Sequence, residues 1–194
     1  MARDLPAEDP LVRMQRDLKR ALQKNPNDIK WGMVIDIAKC IGCHACTLGC
    51  VAENKLPPGV VYRVVLEEDV GHYPHVRHRF TPRPCLHCQN PPCTKACPVT
   101  ATWKTEQGAV IVDYNRCIGC RYCVQACPYG CRFIDPRTMT VDKCSLCYHR
   151  ITKGLTTACC ETCPTQARVL GGRFIAADED GVGAFGQFDQ CVVQ

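Results

Sequence analysis

CIGCRYCVQACP, running from Cys117 to Pro128, decides how the rest of this 194-residue chain is read. Cys117, Cys120 and Cys123 stand two residues apart, Cys127 follows after three more, and Pro128 closes the run. Three thiolates on one tight loop can cover three corners of an iron–sulfur cube; the fourth corner must be met from a distant segment. Tetrahedral zinc sites join two Cys-x2-Cys doublets and have no use for this pattern. Reading outward, the same grammar returns in Cys40, Cys43, Cys46 and Cys50, in Cys85, Cys88, Cys93 and Cys97, and in Cys144, Cys147, Cys159 and Cys163. Sixteen of the nineteen cysteines are thereby placed. Four thiolates hold one [4Fe–4S] cluster, so the expectation is four clusters, with iron held by these sixteen cysteines. A row of one-electron centres in so short a chain moves electrons and performs no bond chemistry, so no catalytic residue is expected.

Composition supports this. Aromatic residues make up only 7% of the chain, so an ordinary apolar core would be thin and the clusters are expected to serve as core. A disulfide framework is disfavoured by the length, the many Cys-x2-Cys pairs and the absence of an apolar signal segment within Met1 to Asp9. The formal charge of +5 counts every cysteine as neutral. Each oxidised cluster with its thiolates carries roughly −2, which brings the loaded protein to about −3. The Lys and Arg surplus then reads as compensation for buried cluster charge, and a nucleic-acid partner loses its main support. No apolar run reaches the roughly 18 residues of a membrane span. A cytoplasmic chain, or one that joins a membrane through partners, is expected; export beside a signal-bearing partner stays open.

Along the chain, Asp9 and Pro10 predict the start of a short amphipathic helix with Leu11, Met14, Leu18 and Leu22 on one face, ending near Asn25-Pro26. Packing onto its own domain and docking to another subunit are both open readings of that face. Val34-Ile35-Asp36, Ile111-Val112-Asp113 and Thr140-Val141-Asp142 predict short strands that deliver the chain to ligand loops, with each Asp a turn or cap residue. Gly42 and Gly119 permit close backbone approach inside those loops. Pro98, Pro128 and Pro164 stop the turn that follows the fourth cysteine. Strands are also predicted at 60–67 and 76–80 around Gly71 to Pro74, in a hairpin at 100–104 and 110–113 around Gln107-Gly108, and at 132–134 and 168–170. The chain is rich in glycine and acid from Gly171 onward, and its last twenty residues are predicted to be irregular or frayed.

In two-cluster ferredoxins the fourth cysteine of each run ligates the other cluster, so four runs make two such units. The stretch from about Trp31 to Leu170 resembles the four-cluster electron-transfer (beta) subunits of the molybdopterin oxidoreductases, of the polysulfide, tetrathionate and dimethyl sulfoxide reductase type. The resemblance is carried by CIGCHACTLGC with ENKLPPGV, GHYPHVRHRFTPRPCLHCQNPPCTKACP, CIGCRYCVQACPYGCRF, and KCSLC with CCETCP. It implies an α+β fold of two ferredoxin-like pseudo-twofold units of the bacterial eight-iron type, one inserted in the other, with a cluster-dominated core and short β hairpins. Residues 31–80 and 139–175 would form the first unit and 81–138 the inserted one. Residues 1–30 would be a helical extension and 176–194 an irregular tail. The resemblance also implies the ligand sets: Cys40, Cys43, Cys46 and Cys163 (cluster a); Cys144, Cys147, Cys159 and Cys50 (cluster b); Cys85, Cys88, Cys93 and Cys127 (cluster c); and Cys117, Cys120, Cys123 and Cys97 (cluster d). Cys159 is chosen over Cys160 because it keeps the three-residue step to Cys163. Cys131, Cys160 and Cys191 are then free thiols. His87 and His149 are expected to tune potentials from outside the ligand set.

The partners so implied are a large molybdopterin or tungstopterin catalytic subunit and a membrane quinone-binding subunit or soluble electron carrier. A polyferredoxin-like subunit of a hydrogenase, carbon monoxide dehydrogenase or tungsten aldehyde oxidoreductase is the alternative within electron transfer. A zinc-stabilised interaction module is the alternative outside it.

Overall fold

The computed structural model describes residues 9–174 and 192–193. Asp9 caps the first helix, α1 (Pro10–Leu22), its carboxylate accepting from the Leu11 N–H at 2.8 Å. Met14, Leu18 and Ala21 are buried along one face, while Leu22 at the helix end is partly exposed. That face packs on its own chain, in one apolar cluster with Trp31, Met33, Ile151, Cys160 and Leu170. Met14 Sδ even takes the Leu170 N–H, at 3.2 Å.

A 3₁₀ turn (Pro26–Asp28) leads into β1 (Ile29–Ile35), the central strand of a three-stranded antiparallel sheet. One edge pairs with β8 (Arg168–Phe174), Ile29 opposite Phe174 and Ile35 opposite Arg168. The other pairs with β9 (Val192–Val193), Met33 opposite Val193. The expectation of an irregular tail over 176–194 is corrected at Val192 and Val193, which pair with β1. Pairing to β1 overrides the low strand propensity of Gly171 and Gly172, and the β-branched Val192 and Val193 take the open edge. The rest of that tail, Cys191 included, lies outside the described residues.

Three hairpins complete the strands. β2 (Val64–His72) and β3 (His75–Arg83) form a long ribbon around a cis Tyr73-Pro74 bond. It starts later than predicted and runs further, because Gly71 with φ 110° extends the ladder into the turn. β4 (Thr102–Lys104) pairs with β5 (Val110–Val112) around Gln107-Gly108, and β6 (Arg132–Ile134) with β7 (Val141–Lys143). The β4–β5 turn is tied to β1: Trp31 N–H donates to the Gln107 carbonyl at 2.9 Å and Trp31 Nε1 to Gln107 Oε1 at 3.0 Å.

The remaining helices are short: α2 (Ala45–Asn54), α3 (Pro92–Lys95), α4 (Tyr122–Gln125), α5 (Tyr148–Ile151) and α6 (Ala158–Glu161). Each lies within or just after a cysteine run. The apolar clusters are built round the same cysteines: Cys46 and Cys159 in the largest, Cys50 and Cys144 with Leu56 and Tyr62, and Cys93 and Cys123 with Val110 and Val141. The result is an α+β body of small helices and hairpins. Among the described residues no helix is long and apolar enough to cross a membrane.

Candidate iron–sulfur sites

The four cysteine runs share a backbone feature. The residue just before the second cysteine has positive φ in every run: Gly42 (69°), His87 (47°), Gly119 (67°) and Leu146 (58°). His44 and Arg121, just after the second cysteine, and Cys147 itself are also left-handed. Successive N–H groups in such turns point inward and form concavities that suit anionic groups, iron–sulfur clusters among them. A second repeat follows the fourth cysteine. The amides of Thr100, Gly130 and Gln166 return to the carbonyls of Cys97, Cys127 and Cys163 at 3.3, 3.2 and 3.2 Å. Each of those three residues has positive φ, and each turn begins with the proline that follows its cysteine. The first run has Val51 in that place, so α2 continues to Asn54 before Lys55 ends it in a left-handed cap.

The thiols gather across runs. Burial raises Cys50 to about 12, and the next influences are Arg63, Cys144 and Cys159. Burial likewise raises Cys147 to about 12, with Cys144, Cys159 and Cys50 as its thiol neighbours. Cys50 of the first run therefore shares its surroundings with three cysteines of the fourth. Cys85, Cys88, Cys93 and Cys127 line one pocket together with His87, Val110 and Arg132. Cys123, raised by burial, feels Arg132 and then Cys97 and Cys117. Two amides point at sulfur nearby, Ala101 at Cys97 Sγ (3.2 Å) and Val141 at Cys117 Sγ (3.4 Å). For the first run, α6 lies against α2, with Thr162 Oγ1 donating to the Ala45 carbonyl at 3.3 Å, which brings Cys163 to the end of α2 that carries Cys46. Cys40 lies partly exposed and Cys43 exposed on the adjoining loop. Among the described residues no three His, Cys, Asp or Glu side chains close on one point tightly enough for a single metal ion.

Buried polar atoms test whether these spaces suit an iron–sulfur cluster. Arg63 Nε and Nη1, Arg132 Nε and His87 Nε2 are buried with no hydrogen-bond partner. Leaving such donors orphaned costs about 1–3 kcal/mol each, more when charged. Their neighbours are thiols. Arg63 Nη2 lies 3.6 Å from Cys144 Sγ, and Arg132 Nη2 lies 3.2 Å from Cys93 Sγ. Arg168 Nη2 lies 3.5 Å from Cys46 Sγ. His87 Nδ1 accepts the Val110 N–H at 2.9 Å, which puts the ring proton on Nε2. Burial and then the charges of Lys143, Arg63 and Arg132 hold His87 well below the ordinary imidazole range, so it is neutral. The residues fit a sulfide-rich anionic group, which would accept from these donors.

Cys159 and Cys160 behave differently. Burial pushes Cys159 up, yet hydrogen bonding from Cys160 and the Arg63 and Arg168 charges hold it well below the thiol range. Cys160 is raised by its bond to Cys159 and by burial. Cys131, raised by burial to about 12, borders the cavity of the second run and feels Cys85 and Cys127. His149 pairs with Glu53 on the surface at 2.8 Å. Asp36 and Asp113 are turn residues as expected, each accepting an amide two residues on. Asp142 departs from that reading: it is buried and accepts the hydroxyls of Tyr62 and Tyr114, the latter at 2.7 Å. The cations at the sites were foreseen only as a general surplus, since nothing in local sequence marks Arg63 or Lys143 as buried.

A family model described as the 4Fe-4S dicluster domain matches residues 76–173. The chain is 44% identical over 200 residues to the B subunit of selenate reductase from Mesobacillus selenatarsenatis, a match covering 86% of this chain and 68% of that one. It is 47% identical over 144 residues to the B subunit of tetrathionate reductase from Salmonella typhimurium, covering 73% and 58%. To its counterpart in the tetrathionate reductase of Archaeoglobus fulgidus it is 49% identical over 132 residues, covering 68% and 62%. The chain thus spans between 58% and 68% of the length of these relatives. By its cysteine runs, their repeated loops and these likenesses, it belongs to the 4Fe-4S dicluster family, among the iron–sulfur electron-transfer (beta) subunits of the molybdopterin oxidoreductases.

Proposed function

We propose that the chain carries single electrons through four [4Fe–4S] clusters between a molybdenum- or tungsten-pterin catalytic subunit and a membrane quinone-binding subunit or other redox partner. Cluster a would be held by Cys40, Cys43, Cys46 and Cys163, and cluster b by Cys144, Cys147, Cys159 and Cys50. Cluster c would be held by Cys85, Cys88, Cys93 and Cys127, and cluster d by Cys117, Cys120, Cys123 and Cys97. The exchanged fourth cysteines would knit two ferredoxin-like pseudo-twofold units together, one inserted in the other. A bound cluster supplies a one-electron couple and sulfides that accept hydrogen bonds.

The observation that carries this reading is the set of buried, partnerless donors of Arg63, Arg132 and His87, placed beside thiols of different runs. The sharing of surroundings by Cys50, Cys144, Cys147 and Cys159 supports the exchange of fourth ligands. Access supports a path with two ends. Among the described cysteines only Cys43 and Cys120 are exposed. Each is flanked by exposed apolar side chains, Ile41 and Leu48 at the first, Ile118 and Tyr122 at the second. Such surfaces suit close, water-excluding contact with redox partners.

The test is Cys127→Ser in the full chain, followed by EPR of each reduced cluster. The proposal expects damage to the cluster of the second run, with the third run's own cluster intact. Damage confined to the third run's cluster would show that each run binds its own fourth cysteine.

A further inference from the structure

The β2–β3 ribbon stands off the body. Residues 71–79 are all exposed, as are Glu67, Glu68 and Asp69, and only Val70 between them is half-buried. At about 3.3 Å of rise per residue, the part beyond Leu66 reaches roughly 20 Å. A two-stranded ribbon uncovered on both faces is marginal in water. Here ion pairs hold it, Glu68 with Arg79 at 2.5 Å on one face and Asp69 with His78 at 2.6 Å on the other.

The root of the ribbon is fixed to the first cysteine run. The Phe80 ring lies over Gly42, where an added Cβ would meet it at 2.4 Å, and His44 Nε2 bonds Glu67 Oε1 at 3.1 Å. Gly42 and His44 flank the exposed Cys43. A body that covers Cys43 closely therefore meets the ribbon as well.

Charge on the ribbon is unevenly matched. Its acids, Glu67, Glu68 and Asp69, are all paired. Arg77, His72 and His75 have no ion pair among the described residues. They share one face, His72 opposite His75 and Arg77 opposite Val70. Tyr73 at the tip is 93% exposed and Val76 beside it 51%. Tyr and Arg are among the side chains that most often anchor protein interfaces. Charges on both faces do not suit a lipid cover. A second copy, tip to tip, would set Arg77 and the histidines against their own kind. Polar protein surface bearing carboxylates is what fits.

We propose that the ribbon is a docking arm for the pterin catalytic subunit, which receives Tyr73, Val76 and Arg77 in a carboxylate-lined recess and is thereby seated over Cys43. The proposal rests on the reading above that such a subunit is a redox partner. Of the two kinds of partner in that reading, the large catalytic subunit has the polar surface to take a charged arm of this reach; a membrane subunit keeps much of its surface in lipid. Contact at the tip and contact at Cys43, roughly 20 Å apart along one arm, would fix the orientation of the partner as well as its distance.

The experiment uses the loaded full chain in complex with the molybdenum or tungsten subunit that accompanies it. Photolysis of Tyr73→p-benzoylphenylalanine should join the tip to the pterin-bearing polypeptide, identified by mass spectrometry. Adducts only with a membrane subunit, with a second copy or with another segment of this chain would overturn the proposal, as would no adduct. Arg77→Glu should weaken association with the catalytic subunit about tenfold at low ionic strength, with iron content and the EPR spectra of the reduced clusters unchanged. Arg77→Lys should keep most of the affinity, which a merely structural role in the ribbon would not require. Equal affinity in Arg77→Glu would sink the idea. Failure of the underlying reading shows separately: no molybdenum- or tungsten-pterin polypeptide would then accompany the unaltered chain.

Discussion

The left-handed residue before each second cysteine is glycine at positions 42 and 119 but histidine at 87 and leucine at 146. Glycine advertises such a backbone, and those two loops are legible in the sequence. His87 and Leu146 adopt it against their preference, because the loop around the site imposes it; sequence carries no mark of that. Substitution separates the two demands at Gly119. Besides the φ of 67°, a Cβ there would meet the Met139 carbonyl oxygen at 2.4 Å. Gly119→Ala should therefore cost more than the roughly 1–2 kcal/mol of the backbone strain alone. It should appear as loss of iron from one site during dilution or mild denaturant, read by visible absorbance. Gly130 has the same sign of φ but open space around it, so Gly130→Ala should show the strain alone.

At the scale of elements, α1 was legible in its capping and periodicity, and its destination was not. Amphipathic spacing says that a face is apolar; it does not say which surface covers it. Leu18, with 1% of its surface exposed, packs in the largest apolar cluster beside Cys160 and Ile151. Leu18→Ala should destabilise the loaded protein by about 2–5 kcal/mol, measured by the denaturant midpoint of cluster absorbance. Deleting residues 1–24 should lower iron content, where a free docking arm would leave it unchanged. A second element-level tie joins α2 to α5. Glu53 accepts from His149 at 2.8 Å and from Arg150 at 2.7 Å, and these bonds, the His149 bond first, depress its carboxylate. A depressed carboxylate contributes above its unfolded value and loses that contribution as pH falls through the folded one. Glu53→Gln should therefore lower stability near neutrality and flatten the acid limb below about pH 5, where the two proteins converge.

For the whole molecule, the cysteine grammar made the iron–sulfur character legible, and the strand partners of β1 stayed hidden because pairing at long range leaves no local trace. The apolar clusters are small and built round thiols, so the body should not survive loss of its metal. Chelation of iron under reducing conditions should abolish the cooperative thermal transition seen by circular dichroism. Native electrophoresis should show the loaded chain migrating as an anion near neutral pH, against the +5 that its formal charge implies.

The position of β1 between β8 and β9 bears on how the molecule is made. Residues 29–35 leave the ribosome early, yet both neighbours of that strand come from residues 168–174 and 192–193. The strand must wait, unpaired on both sides, until residue 168 and those beyond it have emerged. Nascent chains stalled before residue 168 has emerged should be cut readily near Trp31 by protease, and chains in which residue 193 has emerged should resist.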